Sequence, residues 1–350
     1  MGGAPSSHAE QGLLPLRSLL ISEEVNEVVV NPDRRIWVEY ASEPHMRLWD
    51  GEIPAARLKT LGSHLAGESR NQLGPNHPIV SGRVQVFGQS MRVQVIVPPA
   101  IEDGVSVSIR KYISRVLAVT EVDFLVGHQV DVEGERQAKL TALAQLAERG
   151  RLQELLQKAI DDRLNILVSG GTSSGKTTLA RAMLALSDQA ERMVTIEDAP
   201  ELHLPHPNAV PLIADRRPGS ERSPARLLES SLRMRPDRLI LGEIRGEEAF
   251  NFLEAINTGH PGSISTIHAD SPALALERLA MMVMRAGMNQ TRQDILDYAR
   301  HTVDLIIQVG RRGGKRGVLE VYRPAAQALD PIKITKPSHT QAATSLLSAR

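Results

Sequence analysis

Ser169-Gly170-Gly171-Thr172-Ser173-Ser174-Gly175-Lys176-Thr177-Thr178 fits the pattern G-x-x-x-x-G-K-[ST]. Gly170 and Gly175 can reach backbone angles that other residues avoid, so the loop can curl with its N–H groups inward. A phosphate chain fits that curl, cradled from Gly170 through Gly171, Thr172, Ser173, Ser174 and Gly175 to Thr178. Lys176 then places a point charge on the outer phosphates, and Thr177 offers a hydroxyl to Mg²⁺. The helix that follows aims its positive end at the same place.

The flanks agree with that reading. Leu164-Asn165-Ile166-Leu167-Val168 is a short apolar run, expected as a buried parallel strand. Thr178 to Leu186 has the apolar spacing of a helix. Strand, loop and helix is the order the mechanism needs. A chance match in a chain of this length has odds on the order of 1% from average composition. The stretch predicts binding of a nucleoside triphosphate.

Strands and helices alternate downstream. Strands are expected at 193–196, 209–213, 239–241 and 263–267, and helices at 225–234, 247–257 and 273–286. That alternation argues a parallel sheet covered on both faces. A strand at 303–309 and another at 318–321, joined by Arg311-Arg312-Gly313-Gly314-Lys315-Arg316, read as a closing hairpin.

Upstream the pattern differs. Val28-Val29-Val30, the turn signal Asn31-Pro32-Asp33 and Ile36-Trp37-Val38 read as a hairpin. Pro54 opens a helix through Leu58, Leu61 and Leu65. Arg83-Val84-Gln85-Val86 recurs as Arg92-Val93-Gln94-Val95, which reads as a second hairpin with one wet face. Val105 to Arg110 alternates again. The expected domains are a tail at 1–17, a small α+β domain at 18–113 and a linker at 114–137. A helix over 138–160 then opens an α/β domain at 138–324, with a polar tail at 325–350.

Composition sets bounds. The 350 residues carry 41 basic and 41 acidic side chains, so net charge is zero, against a protein whose main task is coating nucleic acid. Aromatics are 3%, too few for a base-stacking surface. Cysteine is absent, which excludes disulfides, thiolate zinc sites and thiol catalysis. No apolar run of about 18 residues exists, and no secretory leader is evident, so a cytoplasmic protein is expected. Met1-Gly2-Gly3-Ala4-Pro5-Ser6 fits a myristoylation pattern, but a small-residue tail is the favoured reading.

Three stretches supply the charges that phosphoryl transfer requires. Arg238-Leu239-Ile240-Leu241-Gly242-Glu243 is an apolar strand ending in an acid. Glu243 either holds Mg²⁺ through water or polarises the attacking water. Thr195-Ile196-Glu197-Asp198 ends another strand in two carboxylates, and these either face the nucleotide or cap a turn. His260 and His268 flank the strand at 263–267 without a convincing third metal ligand, so a phosphate-sensing role is favoured over a metal site. The cluster Arg216, Arg217, Arg222 and Arg226 is expected as a solvated loop. Met281, Met282, Met284 and Met288 divide between core and an adaptable surface.

In combination and order, these stretches resemble the four boxes of the type II/type IV secretion ATPase superfamily. The boxes are 170–178, 195–198, Leu232 to Gly246, and Thr258 to Ser263 with Thr266-Ile267-His268-Ala269. The similarity spans roughly residues 18–310 and is greatest to the traffic ATPases of type IV secretion and conjugation. Glu201 to His206 and Glu248-Ala249-Phe250 also resemble that branch. Type II members commonly carry a four-cysteine zinc insertion that this chain lacks.

The resemblance implies a RecA-like phosphate-loop ATPase domain behind a mobile α+β domain, with ATP and Mg²⁺ in the cleft between them. It implies Glu197 and Glu243 as the acids of their boxes and His268 near the γ-phosphate. Arg92, before Pro98-Pro99, and Arg110, in Ser108-Ile109-Arg110-Lys111, resemble arginines that reach the nucleotide from the first domain. Asp198, Arg233, Arg235 and Arg245 stand in matching boxes without an assigned role. A homo-hexameric ring is implied, peripheral at the cytoplasmic face of a bacterial inner membrane. Its implied partners are channel subunits and other secretion ATPases. A nucleic-acid translocase and a non-hydrolysing switch are the competing classes.

Overall fold

The computed structural model of the chain describes residues 7–112, 118–287 and 289–325. Two short helices open it, α1 (His8–Gly12) and α2 (Arg17–Ile21). Then come β1 (Val25–Val30), β2 (Ile36–Tyr40), β3 (Arg47–Trp49), α3 (Ala55–Glu68), β4 (Ile79–Val86), β5 (Gln89–Ile96) and β6 (Ser106–Lys111). The six strands form one antiparallel sheet in the order β3-β2-β1-β6-β5-β4. One face of it, with α1 to α3, closes a core that includes Val28, Leu61, Leu65, Val93 and Ile109.

Helices α4 (Val132–Glu148) and α5 (Leu152–Asp161) lead into the second half. It alternates β7 (Ile166–Ser169), α6 (Lys176–Leu184), β8 (Met193–Glu197), β9 (Ala209–Ile213), α7 (Pro224–Ser231), β10 (Arg238–Leu241), α8 (Glu248–Asn257) and β11 (Ile264–Ile267). Helices α9 (Pro272–Arg285) and α10 (Arg292–Thr302) and the hairpin β12 (Leu305–Arg312), β13 (Lys315–Tyr322) complete it. The sheet order is β13-β12-β7-β11-β10-β8-β9, parallel throughout except for β13. Its central strands are buried on both faces, which explains their continuous apolar runs. Separate apolar clusters fill the two faces.

Four expectations are corrected. Residues 8–17, expected within a tail, are helical, with Ser7 as the N-cap and Ala9, Leu13 and Leu16 fully buried in the first core. The small residues and prolines of 1–17 mask the helical spacing of those three residues. Helix α4 starts at Val132, inside the expected linker, because Asp131 accepts from the Gly134 N–H and acids fill the first turn. The single helix expected over 138–160 breaks at Gly150, which is left-handed (φ 68°). Helix α10 was not anticipated. Residues 1–6, most of the 325–350 tail and Met288 lie outside the described residues.

The first sheet docks on the β9 edge of the second. Ile213 N–H donates to Ala100 O at 2.8 Å, and Asn31 Nδ2 donates to Asn208 Oδ1 at 3.0 Å. Arg235 bridges Glu39 and Asp237 at 2.9 and 2.5 Å.

Candidate active site

The parallel register places the ends of β7, β8, β10 and β11 on one edge of the sheet. In such sheets ligands lie outside the carboxyl ends. The loop at 170–175 leaves β7 there, and Gly175 (φ 98°) stands in the left-handed region as the N-cap of α6. Only glycine holds that conformation without strain. The cavity on this edge has a volume of about 220 Å³ and is walled by Thr172, Lys176, Thr177, Glu243, Thr266 and His268 among others.

Lys176 is 8% exposed. Its Nζ donates to Gly170 O at 3.1 Å and Gly171 O at 3.2 Å, and lies 3.3 Å from His268 Nδ1. Burial lowers its pKa, with Glu243 opposing the shift. Glu243 Oε2 accepts from Arg245 Nη2 at 2.7 Å. Its Oε1 stands 3.1 Å from His268 Nε2 but is buried with no aligned hydrogen bond. Burial pushes the Glu243 pKa up, but the Arg245 hydrogen bond and the charges of Arg245, His268 and Lys176 win, and the net shift is downward. Burial lowers the His268 pKa, with Glu243 opposing the shift.

Glu197 and Asp198 divide the work expected of their stretch. Glu197 lines the cavity too, but it is 7% exposed and its carboxylate is taken up by its own loop. Its Oε1 accepts from the N–H groups of Glu201 and Leu202 at 2.9 and 3.0 Å, and Oε2 from Thr195 Oγ1 at 3.1 Å. Asp198 faces the cavity and is shared by two arginines: Arg216 Nε at 2.8 Å and Arg245 Nη1 at 3.0 Å. Arg216 also donates to Glu248 Oε1 at 2.7 Å and Glu243 O at 2.9 Å.

That overturns the solvated-loop expectation for Arg216. Arg217 and Arg226 are exposed as expected, and Arg222 is half-buried. The sequence signal for Arg216 was weak: one arginine of four, eighteen residues after Asp198. Arg233 pairs on the helix surface with Glu229.

Other expected residues lie elsewhere. His260 is at the opposite edge, where its Nδ1 is 3.3 Å from Ala255 O. No group of three or more metal-ligating side chains occurs among the described residues. Met282 is core, whereas Met281 and Met284 are exposed. Arg92 and Arg110 are not at the cavity. Register puts Arg83 opposite Arg92, Arg92 opposite Arg110, Arg110 opposite Glu27 and Glu27 opposite Glu39. Opposite residues share a face, so these form one charged row, ending where Glu39 meets Arg235. The first sheet docks at β9, four strands from β7, or about 19 Å at roughly 4.8 Å per strand. Among the described residues the cavity is walled by the second half of the chain, from Thr172 to His268.

Phosphate loop, buried lysine and strand-end acid on a RecA-like sheet, behind an antiparallel α+β unit, define the class: a RecA-like ATPase fold. The family model described as "Type II/IV secretion system protein" matches residues 125–312. The type IV secretion system protein VirB11 of Bartonella quintana is 33% identical over 328 residues, 89% of this chain and 91% of the relative. The conjugal transfer protein TrbB of Rhizobium radiobacter is 35% identical over 306 residues, 85% of this chain and 83% of the relative. The crystal structure of the VirB11 ATPase of the Brucella suis type IV secretion system, in complex with sulphate, superposes with a TM-score of 0.79 at 31% identity. That match covers 91% of this chain and 94% of the other. The chain belongs to the type II/IV secretion system protein family, a family of ATPases. No described helix is long and apolar enough to cross a membrane.

Proposed function

We propose that this chain hydrolyses ATP to power a type IV secretion or conjugative transfer system. The observation that carries the reading is the meeting of Lys176, Glu243 and His268 from three separate strand ends in one cavity. Phosphoryl transfer is mainly positioning and charge neutralisation. Lys176 exchanges its loop carbonyls for the outer phosphates. Glu243, held ionised, orients and polarises the attacking water, and His268 lies where a terminal phosphate arrives.

The residues fit Mg²⁺. Glu243 Oε1 is buried without a hydrogen bond, and Thr177 lines the same cavity. Mg²⁺ keeps several waters and takes few protein ligands beside phosphate oxygens. When bound it neutralises charge on the β- and γ-phosphates.

The reading extends to assembly. Arg92 and Arg110 line no part of their own chain's cavity, so they reach a γ-phosphate only on a neighbouring copy. A ring of six provides such neighbours. The domains are then the antiparallel sheet with α1 to α3 and the parallel sheet from α4 onward, moving against each other with turnover. The ring works at the cytoplasmic face of the inner membrane against channel subunits and other secretion ATPases. The test is steady-state phosphate release by the wild type and by Lys176→Ala. Loss of release in the variant is expected, and wild-type turnover by it would sink the site assignment.

A further inference from the structure

Glu243 and His268 follow β10 and β11, on one flank of β7, whereas β12 lies on the other. A nucleotide whose terminal phosphate meets Glu243 therefore sends its nucleoside end toward the β12 flank. The β12–β13 hairpin walls that flank. Gln308 is in register with Ser169, and β12 continues past the end of β7 to Arg312. Val309 presses on the loop: a Cβ on Gly170 would stand 2.6 Å from Val309 O. Farther along, a Cβ on Gly175 would meet Arg316 Cδ at 3.9 Å, ordinary van der Waals contact. The Arg316 side chain thus lies against the phosphate loop where α6 begins.

The hairpin's charges are unusual. Register sets Arg311 opposite Arg316 and Arg312 opposite Lys315. Opposite residues share a face, so Arg311 and Arg316 share one face of the hairpin, and Arg312 and Lys315 the other. Like charges directly opposite destabilise a hairpin. Among the described residues, no acid pairs with any of the four. The cations across the cavity differ, since Arg216 and Arg245 are already held by carboxylates. An anion arriving on the loop relieves the repulsion in the hairpin.

We propose that Arg316, supported by Arg311 on the same face, binds the α-phosphate and ribose end of a nucleoside di- or triphosphate. The inference rests on the nucleotide reading of residues 170–178. The contact lies away from the terminal phosphate, so it serves ADP and ATP alike. Removing it raises KM and leaves kcat near the wild-type value, the signature of lost uniform binding.

Calorimetric titration of the full chain with Mg-ADP tests this, with phosphate-release kinetics beside it. Arg316→Ala is expected to weaken ADP binding by roughly 5- to 10-fold, as for one exposed charge-assisted contact. Arg316→Glu is expected to weaken it further while the melting temperature holds or rises, because a carboxylate opposite Arg311 removes a like-charge pair. The Arg312→Ala/Lys315→Ala double variant, altered only on the other face, is expected to stay within about twofold of wild type. Wild-type binding by both Arg316 variants, or an equal loss in the double variant, overturns the assignment. A wild-type chain that binds no ADP overturns the nucleotide reading itself, a result visible before any hairpin variant is compared.

Discussion

Two edges of the same parallel sheet use the same chemistry to opposite ends. At the amino edge, Arg238 and Glu191 are 2% and 6% exposed. Arg238 also donates to Ile160 O at 2.9 Å and Gly262 O at 3.2 Å, and Arg163 adds a second cation to Glu191 at 2.9 Å. Beside them Arg192, fully buried, donates to Met234 O and Asn31 Oδ1, each at 2.8 Å. At the carboxyl edge, seven residues on from Arg238, Arg245 is 50% exposed, shares Asp198 with Arg216 and pairs with Glu243. The sealed pairs clamp strand starts. The open pairs can exchange partners for phosphate oxygens, since water and ligand reach them.

The largest contrast is in stability. Arg238→Ala leaves Glu191 buried with only part of its counter-charge, and is expected to cost about 3–5 kcal/mol in urea unfolding. Arg245→Ala is expected within about 1 kcal/mol, because solvent screens an exposed pair. Equal losses would erase the distinction between the edges.

Activity should divide the carboxylates next. Glu243→Gln is expected to slow phosphate release roughly 10²- to 10³-fold with the fold intact, as for a group that stabilises the transition state. Glu197→Gln keeps an oxygen for the Glu201 and Leu202 N–H groups, and is expected to retain activity within about tenfold. If the two variants lose activity equally, Glu197 acts on the nucleotide and not merely on its own loop.

A smaller effect probes the joint between the sheets. Glu27 is buried, and neither carboxylate oxygen has a hydrogen-bond partner. Burial and Glu39 raise its pKa from 4.5 to about 7, against the pull of Arg110, Arg192 and Arg235. A raised carboxyl pKa means the folded chain holds the proton more tightly than the unfolded one. That stabilisation is complete below pH 4.5 and is lost as pH rises through about 7. Glu27→Gln is expected to flatten the fall in unfolding free energy between pH 5 and 8, by an amount on the order of 2–3 kcal/mol. An unchanged slope in urea melts across that window would assign it to other groups.

Much of the second half was legible residue by residue. Lys176 and Thr177 follow from spacing alone. The buried strands follow from apolar runs, because a sheet covered on both faces leaves no polar side. Helix α10 carried a readable start, Thr291 with Asp294 as a capping box. Its buried apolar residues are Ile295, Leu296 and Ala299, in an otherwise polar segment, so periodicity was faint. Arg216 was illegible for a different reason: nothing local separates it from Arg217, which is 81% exposed.

What the sequence alone determined is whatever depends on neighbours along the chain: the loop's curl, the strands' burial, the turn residues and the charge of each candidate. Only the tertiary structure decided which arginine meets which acid. It placed Arg216 beside Asp198 and Arg316 beside Gly175, and left Arg92 and Arg110 on inner strands of the first sheet, off the cavity. An ion pair depends on distance and solvent in space, and those are set by strand order and register across residues far apart in the chain.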